Sequence, residues 1–128
     1  MLKLNSNPRN VAEVEMFVDK VVSKYHLAPH LKGNILISLT EAVTNAIRHG
    51  NCLDENKKVE VRLRRAKGGI SFRITDEGDG FDHQNIPDPT TPENLTKCGG
   101  RGVFLMRMLS DELSFHNNGS TVEMRFKI

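Results

Sequence analysis

The hydrophobic period of this chain changes partway along it, from helical three- and four-residue steps before Gly50 to two-residue alternation after Lys58. No other feature limits the fold as much, because a helix-period stripe and a strand-period stripe cannot share one element. After a short apolar/polar alternation over Met1–Leu4, read as an N-terminal strand, Asn7-Pro8 looks like a helix cap with proline at the first helical position, where its missing N–H costs nothing. Val11, Val14, Phe17, Val18, Val21, Val22 and Tyr25 then stripe one face of a first helix. Ala28-Pro29 interrupts that pattern. Leu31, Ile35, Leu39, Ala42, Val43 and Ala46 renew it in a second helix from about Pro29 to His49, with Gly50 read as its stop. Val59, Val61 and Leu63, followed across Lys67-Gly68-Gly69 by Ile70, Phe72 and Ile74, alternate as a hairpin. Residues 83–100, rich in proline and without periodicity, read as a mobile loop. A short helix from Val103 to Leu109, a strand over Leu113–His116, the turn Asn117-Asn118-Gly119 and a strand through Val122, Met124, Phe126 and Ile128 complete the order. Helices, hairpin, loop, helix, hairpin imply an α+β two-layer sandwich with helices on one face of a mostly antiparallel sheet.

A length of 128 residues fits a single domain over 1–128. Lys plus Arg exceed Asp plus Glu by 18 − 16 = +2, which points away from a nucleic-acid surface and from an acidic disordered tail. The longest unbroken apolar run, Val103–Met106, is far short of a membrane span, and no basic start precedes an apolar core; a cytoplasmic protein is expected. Cys52 and Cys98 lack CxxC spacing and read as reduced thiols. There is no GxxxxGK[ST] phosphate loop and no HExxH. Asp76–Gly80 fails as a calcium loop because Gly78, Gly80 and Pro87 stand where ligands belong. His26 and His30 are separated by the helix-breaking Ala28-Pro29 and are not aimed at one metal.

Three polar features remain. Ser38, Glu41, Asn45 and His49 form a second stripe on the second helix, the last three stacking roughly 6 Å apart per step. A solvated edge would explain them, but Ala42, Val43, Ala46 and Ile47 surround them, and a carboxylate at the edge of a core calls for a ligand or ion. Asp76-Glu77-Gly78-Asp79-Gly80 serves either as a strand-ending turn or as backbone that a ligand can approach closely. Gly99-Gly100-Arg101-Gly102 before a helix serves either as a hinge or as a phosphate cradle at a positive helix end.

In this order, Glu41-Ala42-Val43-Thr44-Asn45-Ala46-Ile47-Arg48-His49-Gly50, Asp76-Glu77-Gly78-Asp79-Gly80-Phe81, Gly100-Arg101-Gly102 and Gly119-Ser120-Thr121 resemble the nucleotide-binding domain of the GHKL ATPase/kinase superfamily over roughly residues 5 to 128. Without phosphoacceptor-histidine helices, the chain looks most like the bacterial anti-sigma factor serine kinases, the switch kinases of sporulation and stress responses. The resemblance implies a Bergerat-type ATP-binding fold with a mixed, mostly antiparallel sheet, and ATP between the second helix and a lid. It implies Mg2+ held by Asn45, with Glu41 as the general base that accepts a serine hydroxyl proton. It implies that Asp76 accepts a hydrogen bond from the adenine amino group, that Gly78 and Gly80 let the purine lie against backbone, and that the Thr121 hydroxyl lies near the same base. Gly100, Arg101, Gly102 and Val103 would present amides to the phosphates, with His49 beside them. The implied partners are an anti-sigma antagonist domain as substrate and a sigma factor, with a homodimer possible. Two departures stand out: Lys97-Cys98 replaces the acidic-basic pair that several such kinases carry before the glycines, and Gly119-Ser120 replaces the commoner Gly-Thr. The alternative readings are a catalytically silent, nucleotide-gated binding module and a simple ATPase.

Overall fold

The computed structural model describes residues 1–78 and 100–128, with Gly100 and Arg101 described as backbone only. Asp79, Gly80, Phe81, Lys97, Cys98 and the loop expected over 83–100, except Gly100 itself, lie outside the described residues.

The chain begins with strand β1 (Leu2–Asn5) and a 3-10 turn (Pro8–Val11), then helix α1 (Ala12–Tyr25) and helix α2 (Pro29–Asn45). Asn7 caps the first turn as expected: its backbone is extended and its side chain accepts the Arg9 N–H at 2.9 Å. His26 ends α1 in the left-handed conformation with φ 54°. The second helix does not run as regular α-helix to His49. It widens at Ala46–Gly50 into a π-helical turn, in which the Asn51 N–H reaches back to the Ala46 carbonyl at 2.8 Å. Gly50 is absent from the positive-φ glycines, so left-handed termination is not its role. The chain turns instead at Cys52 and Leu53, with φ of 52° and 62°.

Strands β2 (Lys58–Ala66) and β3 (Gly69–Thr75) form the first hairpin; helix α3 (Gly100–Leu109), strand β4 (Glu112–His116) and strand β5 (Thr121–Lys127) follow. The sheet order is β1-β2-β3-β5-β4. Every pairing among the described strands is antiparallel, so the expected mixed sheet carries no parallel pair there.

Register explains why one face is apolar. Leu2, Val61, Ile74, Val122 and Phe115 lie opposite one another in turn across all five strands, as do Leu63, Phe72, Met124 and Leu113 across four. The neighbouring row, Arg62, Arg73, Glu123 and Ser114, faces the other way and carries the charge. Val14, Val18 and Val21 of α1 and Ile35, Leu39 and Val43 of α2 join the apolar rows in one core. Phe72 is its centre, meeting Phe126 and Phe17 edge to face at ring separations of 6.0 and 6.4 Å. Truncating Phe72 to alanine would remove about 3–5 kcal/mol from this layer. Helix α2 packs against both α1 and α3, which sets its polar stripe beside the start of α3.

Candidate nucleotide site

A cleft of about 230 Å3 opens between the C-terminal end of α2, α3 and the sheet. Ala42, Ala46, Ile74, Val103, Met106, Phe115 and Val122 give it apolar walls, and Asn45, His49, Gly50, Asp76, Gly119 and Ser120 supply its polar and small groups. Periodicity marked most of those apolar residues as core. Ending the helix and the strands at one place exposes their last apolar side chains to a shared hollow, and a one-dimensional stripe carries no sign of that.

Asp76 stands at one end. Its N–H donates to the Ser120 carbonyl at 2.9 Å, and its Oδ1 accepts the Gly78 N–H at 2.8 Å. Burial pushes the Asp76 carboxyl above its ordinary value of 3.8; the Gly78 N–H and the positive charge of Lys57 oppose that rise. Two glycines make this packing possible. A Cβ on Gly50 would collide with the Asp76 carboxylate, and a Cβ on Gly78 would collide with the Gly50 carbonyl. Gly50 is therefore a residue of close approach between the π-helical turn and the Asp76 loop. Its sequence context looked the same as that of a helix stop.

Glu41 and Asn45 stand at the other end, one helical turn apart and half-buried. Gly102 of α3 packs directly on them: a Cβ there would lie 2.7 Å from Asn45 Nδ2 and 3.1 Å from Glu41 Oε2. Neither side chain has a hydrogen bond or ion pair among the described residues. Asn45 lines the cleft, whereas Glu41 sits one turn earlier on α2, outside the lining. Val103, next to Gly102, is buried and lines the cleft with its side chain. Gly100 and Arg101 begin α3, so their backbone lies at the positive end of a ten-residue helix.

The remaining expected residues divide. His49 is exposed and lines the cleft. Thr121 is buried and is not among the lining residues; its hydroxyl lies 3.2 Å from Thr75 Oγ1 and accepts from Asn117 Nδ2 at 3.2 Å. Its link to the site runs through Thr75, the residue before Asp76. Ser38, the first member of the polar stripe, is buried, its hydroxyl has no partner among the described residues, and it does not line the cleft. Gly80 lies outside the described residues.

Residues 4–126 match the family model for the histidine kinase-like ATPase domain. The chain belongs to that family. The ATPase domain is 30% identical over 130 residues to the serine-protein kinase RsbW of Bacillus subtilis strain 168, covering 96% of this chain and 81% of that protein. It is 32% identical over 131 residues to the serine-protein kinase RsbW of Bacillus velezensis, with the same two coverages of 96% and 81%. Among solved structures it is similar to the histidine kinase domain of the blue-light activated histidine kinase from Erythrobacter litoralis, with a TM-score of 0.53 and 24% identity, over 77% of this chain and 45% of that chain. That last likeness shows the α+β fold.

The residues of the ATPase domain fit an adenine nucleotide. The cleft offers apolar walls for a flat ring, and at one end a desolvated carboxylate whose only described hydrogen bond is the one from Gly78. At its other end a helix N-terminus and a glycine lie against an amide and a carboxylate, a donor set suited to phosphates and a hard cation. Among the described residues no helix is long and apolar enough to cross a membrane, and no cluster of three His, Cys, Asp or Glu side chains is placed to hold a metal.

Proposed function

We propose that this chain is a Mg-ATP-dependent protein-serine kinase of the anti-sigma type, a single domain over 1–128 that acts in the cytoplasm, phosphorylates an anti-sigma antagonist domain and sequesters a sigma factor. The observation that carries the reading is the placing of Glu41 and Asn45 against Gly102 at the start of α3, with Asp76 at the far end of the same cleft. Similarity to RsbW serine-protein kinases over 96% of the chain supports the same chemistry.

Bound ATP supplies the transferable γ-phosphoryl group, and bound Mg2+ neutralises the charge of its phosphates. Asp76 accepts from the adenine amino group, Gly78 and Gly80 let the purine lie against backbone, and Gly50 lets the Asp76 carboxylate pack against the π-helical turn. Thr121 steadies Thr75 and so the end of β3. Asn45 would offer its amide oxygen to the metal, an oxygen donor suited to a hard cation. The amides of Gly100, Arg101, Gly102 and Val103, with His49, hold the phosphates. Glu41 orients the substrate serine and accepts its hydroxyl proton. A homodimer is part of the proposal, and light scattering at micromolar concentration tests it.

The test of activity is γ-labelled ATP in a lysate of the native organism, with added wild-type protein compared with added Glu41→Gln. Label on serine of one small protein with wild type alone supports the kinase and identifies its substrate. No label, with ATP binding intact, favours a nucleotide-gated binding module. Phosphate release that needs no protein acceptor favours a simple ATPase.

A further inference from the structure

Behind the Asp76 loop lies a buried amide that the nucleotide reading does not use. Asn51, directly after Gly50, is 1% exposed. Its Oδ1 accepts the Glu77 N–H at 2.7 Å. Its Nδ2 donates to Ser6 Oγ at 2.8 Å and to the Lys58 carbonyl at 3.1 Å. Ser6, fully buried, donates in turn to the Lys57 carbonyl at 2.7 Å. Both amide protons and the amide oxygen are thus engaged, and three segments of chain meet on one side chain: the residue after β1, the start of β2, and the loop after β3.

The bond to Glu77 lies at an informative point. The Glu77 N–H belongs to the peptide group that begins at the Asp76 carbonyl, while the N–H of Asp76 itself is held by the Ser120 carbonyl. Asp76 is therefore fixed on both sides of its Cα, by Ser120, the residue before β5, on one side and by Asn51 on the other. Gly50, one residue before Asn51, is the position against which the Asp76 carboxylate packs. The end of α2 thus touches the carboxylate with one residue and ties down its backbone with the next.

We infer that Asn51 is a positioning residue for base recognition: its Oδ1, through the Glu77 N–H, holds the Asp76 carboxylate at the angle that distinguishes an amino group from a carbonyl on a purine, while its bonds to Ser6 and Lys58 serve the stability of the fold. The inference rests on the proposed role of Asp76 toward adenine. A buried asparagine of purely structural value would affect melting alone; a positioning residue affects selectivity as well. Removing an acceptor from a buried N–H leaves that donor unsatisfied, and the loop carrying it shifts to find water.

The experiment is equilibrium titration of ATP and GTP into the full chain as wild type, Asn51→Ala, Asn51→Asp and Ser6→Ala, each with its melting temperature. Asn51→Ala is expected to lose about tenfold in ATP affinity with little change toward GTP, which narrows the preference, whereas Ser6→Ala melts lower and stays within about twofold of wild type for ATP. Asn51→Asp keeps the acceptor for the Glu77 N–H and loses both donors. It should melt lower and keep the wild-type ATP preference, and this result carries the test if the alanine variant does not fold. A wild-type ATP-to-GTP ratio in Asn51→Ala, a loss of that ratio in Asn51→Asp, or an ATP loss in Ser6→Ala equal to that of Asn51→Ala overturns the inference. Wild-type protein with equal affinity for ATP and GTP overturns the adenine role of Asp76, and the inference with it; a wild type that prefers ATP isolates any failure to Asn51.

Discussion

The two ends of the cleft are built on different principles. At the Asp76 end, the carboxylate, the peptide after it and both glycines against it are held by hydrogen bonds and direct packing: Ser120 to Asp76, Gly78 to Asp76, Asn51 to Glu77, and Gly50 against the carboxylate. At the Glu41 end, two polar side chains project from one regular helix and, among the described residues, bond to nothing. The first end is held by its own bonds and leaves the Asp76 carboxylate with one described hydrogen bond, from Gly78. The second presents an amide and a carboxylate without partners among the described residues, as the proposed binding of a metal ion, phosphates and a second substrate requires. Under the proposed function, a pre-organised end favours base selectivity because the wrong base cannot draw the carboxylate to itself, and an end whose polar groups are unbonded among the described residues takes up its ligands without first breaking bonds to those residues.

That contrast can be broken at either end. The largest effect is expected from Glu41→Gln, which should lower phosphoryl transfer about 10²- to 10⁴-fold if the carboxylate takes the serine proton, measured as initial rate of labelled product. Transfer at the wild-type rate would remove Glu41 from that role. Next, Asp76→Asn exchanges an accepting carboxylate for an amide and should weaken ATP by about ten- to hundredfold in equilibrium titration, with GTP changed far less. Unequal losses for the two purines sharpen the assignment of this end; equal losses count against it. A smaller change is expected from Gly102→Ala. Its Cβ would press on Asn45 Nδ2 and Glu41 Oε2, so transfer should fall about tenfold through misplacement of both groups, with affinity for a phosphate-free nucleoside unchanged.

The smallest effect follows from the carboxyl whose pKa burial raises. The folded protein holds the Asp76 proton more tightly than the unfolded chain does, so ionised Asp76 subtracts from stability at neutral pH, and the penalty fades as pH falls through the raised value toward the ordinary 3.8. Asp76→Asn should therefore melt at or slightly above wild type at neutral pH, and the difference should close as pH falls toward 4. A melting difference that widens in acid would mean that the carboxylate is a net stabilising group in the fold.

The fold was legible because its information is periodic. The helix stripes, the alternation and the turn glycines placed the five strands and three α-helices of the described residues to within a few residues. The exception is the end of the second helix, where Ala46–Gly50 keep helical spacing in sequence and change pitch in space. A π-helical turn shows no signature in a stripe of apolar residues. The candidate site was legible where one helix carries its members, as with Glu41 and Asn45, and where glycines cluster beside a carboxylate. It was illegible where its geometry depends on two segments meeting. Gly50 next to Asp76, Asn51 bonded to Glu77 and Thr121 bonded to Thr75 are separated by 26, 26 and 46 positions; the first two pairs meet by packing of the π-helical turn on the loop after β3, and the third by sheet register. Asn51 after a helix-ending glycine reads as ordinary loop, although it is among the most buried polar residues described.

The most direct test of separate recognition and transfer ends is to measure ATP affinity and transfer of the γ-phosphate to serine side by side in Glu41→Gln. Wild-type affinity with transfer lost is the result expected of two ends that do different work. Transfer retained, or affinity lost in step with transfer, would contradict the division of the cleft into a rigid end that selects the base and an open end that carries out the chemistry.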